Sequence, residues 1–269
     1  MKAITSAITT VALLGLVALG LVRLSLLWQS VPQAVKRVEA QAELNRPAKI
    51  SVTVITDRLC TSCTSPQPFV QALLKQRVSL ISTRRLDAAS EDGKRYLTEQ
   101  KVERVPAVLV EGELTNSPEL GSFLAQAGKV DGGRFTYFAS APYREVASGQ
   151  VRGEFSTTYV AEPRCSSCYD VTRNAIALKN LGMTVNNDTV VATSSPAGSE
   201  LMRRYRLRYL PTIVLTGDLE AYTALQSVWP TVGSREPDGA YILRDGVKLM
   251  GTYYDLILKR AVTPPTNPS

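Results

Sequence analysis

Ile50-Ser51-Val52-Thr53-Val54-Ile55-Thr56-Asp57-Arg58-Leu59-Cys60-Thr61-Ser62-Cys63 is the stretch on which the fold turns. A run rich in β-branched residues leads through a polar turn into two cysteines three apart, the pattern of a strand ending at a short loop. Phe69, Leu73 and Leu74 then recur at helical spacing. Residues 76–82 hold a short apolar strand, Ser90 to Gln100 reads as a helix, and Pro106-Ala107-Val108-Leu109-Val110 is the next strand.

The series recurs 105 residues later. Thr157 to Ala161 leads into Cys165-Ser166-Ser167-Cys168, then a helix through Ile176 and Leu178. A strand at Thr189 to Ala192, a helix over Ser199 to Tyr205 and the strand Pro211-Thr212-Ile213-Val214-Leu215 follow. The offset of 105 holds without a gap for Cys60 and Cys165, Gly93 and Gly198, Pro106 and Pro211, Gly112 and Gly217, and Leu114 and Leu219. Asp57 and Glu162 keep the same place, three residues before the first cysteine of each pair. Two cysteine pairs arise by accident more easily than a register that carries glycines, prolines and apolar strands with it, so the chain is read as an internal duplication. Asp131-Gly132-Gly133-Arg134-Phe135 and Asp238-Gly239-Ala240-Tyr241 suit a closing hairpin in each half, with 141–153 as the connector between them.

All four cysteines lie in the two motifs. Cysteines three apart close a small disulfide ring. At the start of a helix, unpaired N–H groups and the helix dipole favour the thiolate of the first, and only the thiolate attacks a disulfide. Cys60 and Cys165 are therefore the expected attacking residues, and Cys63 and Cys168 the resolving ones. Asp57 and Glu162 are candidates to assist, although solvated loop acids account for them as well.

A strand, a Cys-x-x-Cys pair opening a helix, and a proline at the start of a later strand resemble the thioredoxin superfamily, over roughly residues 49 to 245. The tandem arrangement resembles protein disulfide isomerase and the two-domain disulfide oxidoreductases of prokaryotes. The resemblance implies that Pro106 and Pro211 are cis prolines facing the cysteines. It also implies that the backbone before them, at Val105 and Leu210, is presented to an incoming peptide for strand-like pairing. Pro68 matches the helix-kinking proline of that family, whereas Arg173 stands at the equivalent place in the second copy. The inner pairs Thr61-Ser62 and Ser166-Ser167 depart from thioredoxin's own motif, so redox direction does not follow by analogy.

Composition narrows the field. Hydrophobic residues make up 44% and charged residues 20%, which fits folded domains rather than a disordered chain. There is no histidine, which excludes Ser-His-Asp and Cys-His nucleophiles, His zinc ligands and a Cys-x-x-Cys-His haem site. The formal charge of +7 is scattered, without the basic stripe and exposed aromatics of a nucleic-acid binder. Residues 3–22 are uncharged and mostly apolar, matching the roughly 20 residues a membrane-spanning helix needs. Arg23 and Trp28 suit the interface beyond them. A cleaved signal peptide is the alternative. Lys2 on one side and Arg23, Lys36 and Arg37 on the other do not settle orientation.

The expected architecture is α/β: a transmembrane signal anchor over 1–28, a polar linker over 29–48, a thioredoxin-like domain over 49–140, a second over 141–262 with its connector, and a flexible tail over 263–269. Each domain is a mixed sheet flanked by helices. The expected activity is thiol–disulfide exchange with protein thiols, without organic cofactor or metal. The expected location is the plasma (inner) membrane, single-pass, with the soluble domains extracytoplasmic and a membrane-embedded redox partner within reach. Three rivals stay open: static braces, a thiolate metal site, and a membrane-tethered binding subunit that keeps the fold without turnover.

Overall fold

The computed structural model of the chain describes residues 35–37, 46–128, 130–185 and 187–265. The expected membrane helix over 1–28, most of the linker over 29–48 and residues 266–269 of the tail lie outside them. Among the described residues, no helix is long and apolar enough to cross a membrane.

The first half runs β1 (Ala48–Thr56), α1 (Gln67–Leu74), β2 (Val78–Asp87), α2 (Glu91–Glu99), β3 (Arg104–Val105), β4 (Ala107–Gly112), α3 (Pro118–Ala127), β5 (Val130–Asp131), β6 (Arg134–Phe138), β7 (Tyr143–Glu145) and β8 (Val151–Arg152). The second half runs β9 (Phe155–Ala161), a single turn at Val171–Arg173 leading into α4 (Asn174–Asn180), β10 (Asp188–Ala192), α5 (Pro196–Tyr205), β11 (Tyr209–Leu210), β12 (Thr212–Gly217), α6 (Thr223–Val232), β13 (Gly233–Arg235), β14 (Tyr241–Leu243), α7 (Val247–Met250), β15 (Tyr253–Asp255) and β16 (Arg260–Val262).

Two five-stranded sheets result, in the orders β2-β1-β4-β6-β5 and β10-β9-β12-β14-β13. The second is mixed: β10 runs parallel to β9, while β12 runs antiparallel to both β9 and β14. The fold is thus mixed α/β with two sheet cores. β1 alternates buried and open positions at its start, as the period of a half-covered strand requires. Ala107 to Val110 and Thr212 to Leu215 are buried without a break, which marks β4 and β12 as strands covered on both faces.

The repeated residues have physical reasons. Ser90 and Ser195 cap α2 and α5 by accepting from Gly93 N and Gly198 N, at 3.0 and 3.1 Å. A Cβ on Gly93 would lie 1.9 Å from Asp87 O, and one on Gly198 2.0 Å from Ala192 O, so glycine lets each helix start close against the strand before it. Gly112 and Gly217 both have φ of +124°, where a side chain is strained. An ion pair meets the residue after each of these glycines. Arg46 grips Glu113 with two bonds of 2.5 and 2.8 Å, and Arg152 grips Asp218 at 2.5 and 3.3 Å.

The described residues fall into two compact units. One comprises those of Met1–Ser51 with Ala72–Ser82 and Val110–Phe135; the other comprises Val52–Gln71, Thr83–Leu109 and the described part of Thr136–Ser269. The first holds the ends of β1, β2 and β4 together with α3, whose Leu120 and Leu124 are fully buried. The second holds both cysteine motifs. Its largest core cluster gathers Tyr159, Met183, Ile213, Leu215, Leu225 and Trp229.

Residues 141–153 are more than a connector. β7 pairs antiparallel with β3 and with β8, so this segment is a hairpin laid on the strand that ends at Pro106. β15 and β16 do the same for β11 in the second half. The offset between the hairpins is 110, from Tyr143 to Tyr253, because the second half carries the extra short helix α7 before its hairpin.

Gly112→Ala and Gly217→Ala should each destabilise the fold by about 1–3 kcal/mol, from the strained φ and a Cβ placed 2.4 Å from Lys49 O or Glu154 O. Urea unfolding followed by circular dichroism checks this, and wild-type midpoints would contradict it.

Candidate active site

Cys60 and Cys63 form a disulfide, as do Cys165 and Cys168, each with Cα atoms 5.4 Å apart. Neither pair opens a helix. α1 begins at Gln67, and the turn leading into α4 begins at Val171, so the cysteines sit in irregular loops ahead of both. The expectation of direct stabilisation by a helix N-terminus is thereby corrected. In the first half, Pro66 and Pro68 displace the helix start. Pro68 lies in the first turn of α1, where a missing N–H leaves no bond unmade, and it does not kink the helix.

Each loop is instead organised by the acid three residues before the cysteine. Asp57 Oδ1 accepts from Leu59 N at 3.0 Å, and its carbonyl accepts from Cys60 N at 3.2 Å. Glu162 Oε1 accepts from Arg164 N at 3.0 Å, and its carbonyl accepts from Cys165 N at 3.1 Å. Both acids are buried rather than solvated. Burying a charge is tolerated when it is paired. Asp57 is paired with Arg144 of β7. Glu162 receives Arg164 Nε at 2.8 Å, Arg164 Nη2 at 2.9 Å and Thr193 Oγ1 at 3.0 Å. The bond from Arg164 holds the Glu162 carboxyl below the ordinary carboxylate range, against the opposing effect of burial. The shared offset of the two acids was the signal for this role. Arg144 has no counterpart at its own position, where the second hairpin carries Tyr254, so register alone does not expose it. The Arg164 guanidinium lies 5.3 Å from the Tyr254 ring centre, which restores a link between loop and hairpin by cation–π contact.

The site residues expected from sequence come together within each half. Cys63 Sγ lies 3.9 Å from Val105 O, and Cys168 Sγ 3.8 Å from Leu210 O. The Val105–Pro106 and Leu210–Pro211 bonds are cis. The backbone at Val105 and Leu210 does not stand open to an incoming peptide, however. Val105 is in register with Arg144 and Leu210 with Tyr254, so the chain's own hairpins occupy those edges. Both residues are fully buried.

The hairpin entrances are also tied to the cysteine loops. Thr64 N donates to Pro142 O, and Tyr169 N donates to Thr252 O, each at 2.8 Å. Tyr169 adds a bond from its hydroxyl to Pro211 O at 2.9 Å, and burial pushes its phenol up to about 12, so it stays a donor at neutral pH. An open cleft of about 250 Å³ lies beside the second disulfide, lined by Glu162, Cys165, Cys168, Tyr169, Val190 and Pro211. Among the described residues, no three His, Cys, Asp or Glu side chains are gathered to hold a metal ion.

No protein-family model matches the sequence, and no curated protein does. Among solved structures, the chain is similar to ERdj5 in its crystal form I, with 10% identity and a TM-score of 0.21 over 66% of this chain. It spans only 25% of ERdj5. It is also similar to the N-terminal domain of the alkylhydroperoxide reductase AhpF of Enterococcus faecalis, with 12% identity and a TM-score of 0.21 over 69% of this chain and 90% of that one. A C503A form of AhpF from the same organism gives 18% identity and a TM-score of 0.20 over 71% and 90%. Likeness at this level assigns no activity to this chain.

A carboxyl held below its ordinary value stabilises the folded state above that value, and the contribution is lost as pH falls through the depressed one. Glu162→Gln should therefore be less stable than wild type at neutral pH, by a modest margin because Arg164 is 65% exposed and its charge is screened. The gap should close well below about pH 4, the ordinary carboxylate value. Urea midpoints of both proteins across this range are the measurement, and a gap that stays constant into acid would count against the assignment.

Proposed function

We propose that the chain is a membrane-anchored thiol–disulfide oxidoreductase that exchanges disulfides with protein partners. One observation carries this reading: each half holds a Cys-x-x-Cys disulfide whose second sulfur rests within 4 Å of the carbonyl ahead of Pro106 or Pro211. A pair three residues apart closes too small a ring to restrain much chain entropy, which argues against a purely bracing role. In one direction, a partner thiolate attacks the first cysteine's sulfur and the S–S bond breaks, with the second cysteine leaving as thiolate. A second partner thiol then resolves the mixed disulfide. The partner loses two electrons and two protons, and the chain gains them. That delivers a disulfide to the partner. In the reverse direction the first cysteine's thiolate attacks a partner disulfide, and the second cysteine displaces the partner from the mixed disulfide. The partner leaves with two thiols while the chain is reoxidised.

Residues 1–28 support the anchor by length and hydropathy, and an anchored dithiol pair has a task in an oxidising compartment. We place the soluble domains on the extracytoplasmic side of the plasma (inner) membrane, within reach of a membrane-embedded redox partner. The tandem arrangement suits the same kinship as protein disulfide isomerase and the two-domain prokaryotic oxidoreductases.

Replacing a resolving cysteine leaves the mixed disulfide stranded. Cys63→Ser or Cys168→Ser in the full chain should accumulate adducts with other proteins on non-reducing gels, and dithiothreitol should release them. Adding Cys60→Ser or Cys165→Ser in the same half should abolish that half's adducts. A complete absence of adducts from either variant would favour a binding subunit without turnover. The chain should also resist alkaline carbonate extraction from membranes, and its release would remove the anchor from the proposal.

A further inference from the structure

We infer that the two disulfides are not equivalent: Cys165–Cys168 is the pair an external thiol reaches directly, while Cys60–Cys63 is held by ties to the segment 141–154 and is reached more slowly. This rests on the exchange reading above and ranks the two sites by access.

Both halves share the hairpin cover and the backbone bond from the residue after the second cysteine. Beyond these the first loop carries three further ties. Thr64 Oγ1 donates to Ala141 O at 3.0 Å, and Ser62 Oγ donates to Glu154 Oε1 at 2.6 Å. Arg144, in register with Val105, reaches across to Asp57, whose carboxylate is closed to solvent. One side chain therefore joins the hairpin to the turn that carries Cys60. The outcome is a Cys60 only 7% exposed, with Cys63 alone of the pair partly open.

Among the described residues, the second loop lacks these ties. Glu162 is satisfied from within its own loop and by Thr193, and Tyr169 turns its hydroxyl to Pro211 rather than to the hairpin. Arg164, which takes the place of a latching arginine, leans on Tyr254 while 65% exposed. Cys165 and Cys168 are both partly open, and the cleft of about 250 Å³ leads to them. A thiolate entering it reaches Cys165 Sγ without displacing any strand. At the first site the same attack requires local opening, and a buried ion pair sets its cost.

The test is the rate at which each disulfide of the full chain is reduced by dithiothreitol. Acid quench, alkylation and mass spectrometry resolve the two cysteine-bearing peptides. The reagent's two thiols become its own cyclic disulfide, so each reduction is balanced. Cys165–Cys168 should open faster by about tenfold or more, since opening against the first loop's extra ties slows only its own site. Arg144→Gln should accelerate opening of Cys60–Cys63 while leaving Cys165–Cys168 at its wild-type rate, which also reports that the variant is folded. Should Arg144→Gln not fold, Glu154→Gln removes the tie to Ser62 and should move the same ratio in the same direction. Equal wild-type rates, a faster first site, or a ratio that no folded variant moves would overturn this difference in access. Such results would leave exchange intact if partners are still trapped at both sites. Failure of partner trapping would sink exchange and leave the rate comparison readable.

Discussion

Antiparallel pairing between a two-residue strand and a hairpin governs everything around the cysteines. β3 and β11 are too short to hold their own place, and each ends at a proline that cannot continue a ladder. β7 and β15 fix them, with Val146 N bonded to Glu103 O at 2.8 Å and Leu256 N to Arg208 O at 3.0 Å in matching registers. Alternation along an antiparallel ladder then makes Val105 with Arg144, and Leu210 with Tyr254, the next hydrogen-bonded pairs. Each hairpin thereby fills the edge beside its disulfide and sets the position of the carbonyl against which Cys63 or Cys168 rests.

From that constraint follows the burial of the two acids. Their backbone and side-chain oxygens shape the cysteine turns, and their negative charge needs a cation to remain buried. The first half draws that cation from the hairpin, and the second draws it from the loop itself. The duplication has kept the acid and altered its partner. Two similar cysteine loops thus sit under different cover within one chain, with ties from Arg144, Thr64 and Ser62 at the first.

Much of this was legible in the residues. The gapless 105-residue register exposed the duplication, the cysteine pairs and the prolines, because each depends on a fixed local geometry that permits few substitutes. Gly93, Gly112, Gly198 and Gly217 were legible as repeated positions, though their reasons, close approach to a strand and positive φ, needed coordinates. The helix starts were misplaced, since Pro66, Pro68 and Asp170 postpone helix formation by several residues after the second cysteine. Residues 141–153 read as connector because three-residue strands carry almost no periodic signal.

The sequence alone determined a duplicated α/β chain with two dithiol motifs and an apolar leading segment, since composition and spacing act locally and survive without a fold. Only the tertiary structure decided that the hairpins close the edges at Val105 and Leu210 and that Asp57 and Glu162 are buried. It alone separated the buried Cys60 from the partly open Cys165. These features depend on residues far apart in the chain, such as Asp57 and Arg144, and pairing across that distance leaves no local pattern to read.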